Sequence, residues 1–117
     1  MVLGIGIDMV KTDKIKDAIK KWGNSFIERI FNPEELEGIA QGKIYFQRLA
    51  ARFAAKEAVI KAISKKVPLS FRDIVVLNRN NGAPYCNLKK EANLDLMLSI
   101  THIEDYAVAC AVAQKKT

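Results

Sequence analysis

The sequence predicts an α+β domain with one N-terminal strand, a run of helices including one long central helix, and then an antiparallel β-meander. Three observations carry that prediction. Residues 2–10, VLGIGIDMV, are almost unbroken apolar sequence rich in β-formers. Gly23, Pro33 and Gly42 punctuate segments of helical periodicity. Beyond Pro68, short apolar runs alternate with turn signals. Strand, then helices, then strands is the α+β order.

Each element has a local reason. The apolar run 2–10 reads as a strand covered on both faces. Thr12 or Asp13 is expected to cap a helix over 13–22, with Ile15, Ala18, Ile19 and Trp22 on one side and Lys14, Lys16, Lys20 and Lys21 around the other. Gly23-Asn24 stops it. A short helix follows over 26–31. Asn32 then caps a third helix that has Pro33 at its first position, two acids in its first turn and Gly42 at its end. The long helix spans 45–64, with Pro68 closing the connection. Residues 74–77 and 85–88 are strands joined at Asn80-Asn81-Gly82, with Pro84 at the start of the second. Residues 94–101 and 107–113 are the last two strands, turning at Glu104-Asp105.

Composition narrows the function classes. A chain of 117 residues, half of them hydrophobic, suits a single domain over 1–117. A net charge of +6 points to an anionic partner: nucleic acid, membrane surface, acidic protein or phosphorylated ligand. Cys86 and Cys110 are too far apart for a zinc knuckle or a CxxC redox pair. Residues 1–10 carry Asp8 and lack a basic leader and a cleavage site, and no run reaches the roughly 20 apolar residues of a membrane span. The expectation is a cytoplasmic protein with reduced thiols and no membrane partner.

Two carboxylates stand where apolar residues belong. Phe46, Leu49, Phe53 and Ile60 share one helix face, and Glu57 falls inside that arc. An ionised carboxylate buried alone costs several kcal/mol or more, so it is paired, protonated or bound to a cation. Lys61, one turn on, offers the plain explanation, an ion pair at the rim of the core. Asp8 ends the strand GIGID, where its plain role is to cap the following turn. Gly4 and Gly6 permit close approach of another backbone. If the two carboxylates meet, they form a site of the kind that Mg²⁺ accepts when phosphates supply the remaining oxygens. Magnesium-assisted chemistry on a phosphate ester or anhydride follows.

A third stretch, SITHIEDYAVA (99–109), holds the only histidine, His102, beside Ser99 and Thr101. This grouping is either an anion site or a structural hydrogen-bonder. No nucleophile elbow and no P-loop occurs, and GIGID is not a dinucleotide fingerprint.

GIGID, RFAAKEAVIKA (52–62) and SITHIEDYA, in this order and spacing, resemble the holo-acyl-carrier-protein synthase family of small 4′-phosphopantetheinyl transferases along nearly the whole chain. The resemblance implies transfer of 4′-phosphopantetheine from coenzyme A to a serine of apo acyl carrier protein, releasing adenosine 3′,5′-bisphosphate, with Mg²⁺ and in support of fatty acid biosynthesis. Asp8 and Glu57 match the metal carboxylates, and Lys61 the lysine that meets the pyrophosphate. Arg52, Lys56 and His102 fall on positions lining the coenzyme A site. Glu57, or a metal-bound water held by Asp8, takes the serine proton. Lys11, Lys14, Lys20 and Lys21 supply positive charge for an acidic carrier protein, although a lysine run is ordinarily a solvated helix face. The family commonly forms a trimer with sites between subunits.

The chain departs from the pattern after Ala62, where ISKKVP (63–68) replaces a Gly-Thr-Gly loop, leaving Ser64, Lys65 or Lys66 to hold phosphate by side chain. That departure sustains one alternative, a catalytically impaired homologue acting as an assembly partner. The charge sustains another, a small nucleic-acid-binding module. The lysines are not interleaved with exposed aromatics, which weighs against nucleic acid.

Overall fold

The structure, a computed structural model, describes residues 1–39, 42–63, 67–90 and 92–116, with Lys43 described through its backbone. The order is β1 (Val2–Lys11), α1 (Thr12–Trp22), α2 (Asn24–Ile30), α3 (Pro33–Leu36), α4 (Lys43–Ile63), a 3₁₀ turn (Phe71–Asp73), β2 (Ile74–Asn78), β3 (Pro84–Leu88), β4 (Leu94–His102) and β5 (Tyr106–Lys115). This is the α+β order that the sequence predicts.

The strands fall into two sheets rather than one continuous meander. β5 lies between β1 and β4, antiparallel to both, while β2 and β3 form a separate hairpin. β4 pairs with β5 along its whole length, from Leu94 opposite Lys115 to His102 opposite Ala107. The shorter β3 has no comparable run to offer it.

Two helix boundaries differ from expectation. Neither Thr12 nor Asp13 caps α1. Lys11 is the residue before it, in extended conformation, and the Thr12 amide donates to the Asp105 carbonyl oxygen at 2.8 Å. α3 stops at Leu36, because Glu37 is extended and Gly38 adopts a left-handed φ of 75°.

α4 fixes the architecture by lying against β1 and β5 with almost no side chain between. Ala50, Ala54, Ala55, Ala58 and Ala62 of α4 and Ala107, Ala109, Ala111 and Ala113 of β5 are all buried. On β1 the approach is closer still. A Cβ at Gly4 would overlap the Ala62 carbonyl oxygen, and one at Gly6 the Ala58 carbonyl oxygen. Only glycine permits this contact.

α4 covers one face of the sheet. Contrary to the expectation of cover on both sides, the other face of β1 is open in the single chain. Ile5, Ile7 and Met9 are 66%, 61% and 64% exposed. The register sets them beside Val112, Cys110 and Val108 of β5, and Met97 of β4 continues the row through Val112.

Candidate active site

The close approach of α4 to β1 brings three of the expected residues together. Asp8 shares the helix-facing side of β1 with Gly4, Gly6 and Val10. Lys61, on the last turn of α4, donates from Nζ to Asp8 Oδ1 at 3.2 Å and to the Ile7 carbonyl oxygen at 3.0 Å. Glu57 stands one turn earlier and is half-buried. Burial raises its pKa above the ordinary glutamate value, the charge on Asp8 raises it further, and Lys61 and Lys14 oppose both. Asp8 and Glu57 thus lie in one field, at a rim that solvent reaches.

This donor set fits Mg²⁺ of one kind. Among the described residues no group of three or more His, Cys, Asp and Glu could hold a metal. Two carboxylates therefore leave most positions to water and phosphate oxygens, which is how Mg²⁺ is commonly held at phosphate-transfer sites.

Lys56 requires correction. Expected at the coenzyme A site, it is fully buried, with 0% exposure. Its Nζ donates to Glu35 Oε1 at 2.6 Å, to the Ile30 carbonyl oxygen at 2.7 Å and to the Phe71 carbonyl oxygen at 3.0 Å. All three ammonium hydrogens are thereby used, leaving none for a ligand. The charged residue buried in α4 is Lys56, not its neighbour Glu57. Its partner, Glu35, was not singled out from sequence. Glu35 also accepts from the Asn32 amide and side chain through Oε1 and from the Val76 amide through Oε2. The signals were an Asn-x-x-Glu helix start and a lysine among alanines.

The other expected residues are dispersed. Arg52 is nine residues before Lys61, two and a half turns, so it leaves the opposite side of α4. There its Nη2 donates to Asn78 Oδ1 at 3.3 Å, while Nη1 is buried without a partner. His102 is exposed at the end of β4. One strand, β5, separates β1 from β4, so the two lie two strand spacings apart, about 10 Å. No hydrogen bond joins His102 to Asp8, Glu57 or Lys61. Ser64, Lys65 and Lys66 lie outside the described residues. Lys14 is close enough to act on Glu57. Lys11 sits over the Tyr106 ring at 5.9 Å, and Lys20 and Lys21 stand at the far end of α1, Lys21 over Trp22 at 4.9 Å.

Volume alone points elsewhere. A groove of about 1070 Å³ opens between β3 and β4, past Tyr85, Lys89, Lys90 and Met97. It follows from the failure of those strands to pair. Lys89 is already tied to Asn32 and Lys90 to Pro68 and Asp73, so the groove offers less free charge than its lining suggests. Burial pushes the nearby Cys86 thiol up to about 12, so it is not a nucleophile.

Residues 4–111 match the family model of the 4′-phosphopantetheinyl transferase superfamily. The chain belongs to that superfamily. Among its phosphopantetheinyl transferase relatives, the holo-[acyl-carrier-protein] synthase of Caldicellulosiruptor saccharolyticus is 40% identical, with 99% of each chain covered. The holo-(acyl-carrier-protein) synthase of Bacillus anthracis, solved in complex with CoA (3′,5′-ADP), superposes with a TM-score of 0.86 at 34% identity, covering 99% of both chains. That of Helicobacter pylori, solved with coenzyme A, gives 0.81 at 31% identity, over 94% of this chain and 99% of that one.

Proposed function

We propose that this chain, acting as one domain, is a Mg²⁺-dependent holo-acyl-carrier-protein synthase. It moves 4′-phosphopantetheine from coenzyme A to a serine hydroxyl of apo acyl carrier protein and so supports fatty acid biosynthesis. The observation that carries this is the meeting of Asp8, Glu57 and Lys61 across the β1–α4 contact, in a chain whose relatives bear that name.

In this reading the serine oxygen forms a bond to the phosphorus that carries pantetheine. The bond from that phosphorus to the bridging oxygen breaks, and adenosine 3′,5′-bisphosphate leaves with that oxygen. Lys61 offsets the charge that grows on the bridging and terminal oxygens. Glu57, or a water held by Asp8, would accept the serine proton. Asp8 and Glu57 would hold Mg²⁺, which would supply further positive charge to the diphosphate. Lys14 lies beside the site, and Lys11, Lys20 and Lys21 extend the positive surface along α1 for an acidic carrier protein.

Arg52, with a buried Nη1 lacking a partner, and His102 are proposed to contact coenzyme A. Their distance from Lys61 within one chain supports sites formed between copies. The open apolar sheet face supports a homotrimer as the assembly. No helix among the described residues is long and apolar enough to cross a membrane. We place the reaction in the cytoplasm, where the free Cys86 and Cys110 remain reduced.

The test is intact-protein mass spectrometry of an apo acyl carrier protein incubated with this chain, coenzyme A and Mg²⁺, with an EDTA control. A gain of one phosphopantetheine group, absent with EDTA, is expected. No gain with several carrier proteins and a folded enzyme overturns the reading.

A further inference from the structure

Lys61 does more in this structure than wait for a phosphate. Its ammonium group sits on Asp8 Oδ1 and on the Ile7 carbonyl oxygen, and its charge also acts on Glu57. A carboxylate, a backbone oxygen and the field of a second carboxylate are what a hard cation would use at the same place. The side chain is 53% exposed against 19% for Asp8, so the lysine can leave while the aspartate stays. An exposed pair of this kind is weak, which suits a contact that must be given up.

We propose that Lys61 is an internal stand-in for the divalent cation at Asp8, and that cation and ammonium exchange there. The inference rests on the metal reading above and adds an order to it. Without the cation, Lys61 is held back on β1. When the cation takes Asp8, Lys61 is released, and the hydrogens it had spent on β1 become available to phosphate oxygens. One lysine thus steadies the carboxylates in the resting chain and becomes available as the site is loaded.

The test uses the full-length chain without coenzyme A or carrier protein, titrated with Mn²⁺ by calorimetry at fixed pH and salt. Lys61→Met should bind Mn²⁺ about three- to tenfold more tightly than wild type, because the competing ammonium is gone. Lys14→Met removes the same charge from the field without freeing an oxygen of Asp8, so its effect should be smaller, about twofold or less. Asp8→Asn should abolish the binding. If Lys61→Met binds no more tightly than wild type, or no more tightly than Lys14→Met, the exchange is refuted while the metal site stands. If Asp8→Asn binds as wild type does, the metal site falls, and the exchange with it. A second measurement needs no variant. In wild type, Mg²⁺ should move the Lys61 Cε methylene NMR signal toward that of a free lysine, and a signal unmoved at saturation overturns the proposal.

Discussion

Replacing Lys56 by methionine tests the buried pair most directly. The substitution keeps the length of the side chain and removes its charge. Glu35 would remain fully buried with three N–H donors and no counter-charge, and the Ile30 and Phe71 carbonyls would each lose the ammonium donor, Phe71 keeping the Ile74 amide. Breaking one partner of a buried ion pair costs about 3–5 kcal/mol. A chain of 117 residues unfolds with an entropy near 0.25 kcal/mol per kelvin, so the midpoint should fall by about 12–20 °C. Glu35→Gln removes the opposite charge and keeps an acceptor oxygen. The double variant buries no lone charge and should lose about 2 kcal/mol less than the two singles together. Thermal and urea denaturation of the four proteins closes the cycle. Additivity within about 0.5 kcal/mol would mean that the two groups do not meet in the dry core, and the reasoning would fail.

Three further variants have expected outcomes. Glu57→Gln should lower transfer activity at saturating Mg²⁺ by about a hundredfold or more in the mass-spectrometric assay. The same variant should be more stable than wild type at neutral pH. The folded-state pKa of Glu57 lies above its unfolded value, so the stability it contributes is full below the unfolded value and is lost as pH rises through the folded one; the gain should vanish in acid, which melting curves from pH 4 to 8 will show. Gly6→Ala should cost at least about 1–3 kcal/mol, because its methyl meets the Ala58 carbonyl oxygen, and activity should fall with it as Lys61 is drawn from Ile7 and Asp8. Ile7→Lys, on the open sheet face, should leave the chain folded by circular dichroism and reduce it to monomer in sedimentation velocity; wild type sedimenting as monomer at micromolar concentration would count against the trimer.

What the sequence revealed was whatever broke a local pattern. Asp8 and Glu57 were visible because each interrupts an apolar run, and Lys61 because it follows Glu57 by one turn. Their meeting was readable because Gly4 and Gly6 leave room for α4. The fold class followed from element order alone. Partnership across the chain was less visible. On a helical projection Lys56 lies at one edge of the apolar arc, about 20° from Leu49, as Glu57 lies at the other; the wheel does not say that the 3₁₀ turn and the end of α2 close over the lysine and not over the glutamate. The lysine's partner Glu35 lies 21 residues away and is disguised as an ordinary acid in a first turn. The apolar β1 run looked doubly covered because sequence records hydrophobicity, not which face the chain's own elements cover.

The seam of alanine against alanine between α4 and β5 bears on how faithfully the site keeps its shape. Alanine has no rotamers to surrender, so ordering this interface costs backbone freedom alone. The spacing between helix and sheet is then set by methyl groups and peptide planes, which do not hop between alternatives as leucine or methionine does. Such an interface has few ways to relax around a change, and an added methylene must move a whole element. Amides near the middle of α4 and β5 should therefore exchange with deuterium only when the entire chain opens. Asp8, on the strand paired to β5, and Glu57, on α4, would keep their relative position as the jaws of a stiff caliper do, with mobility left to the lysine between them.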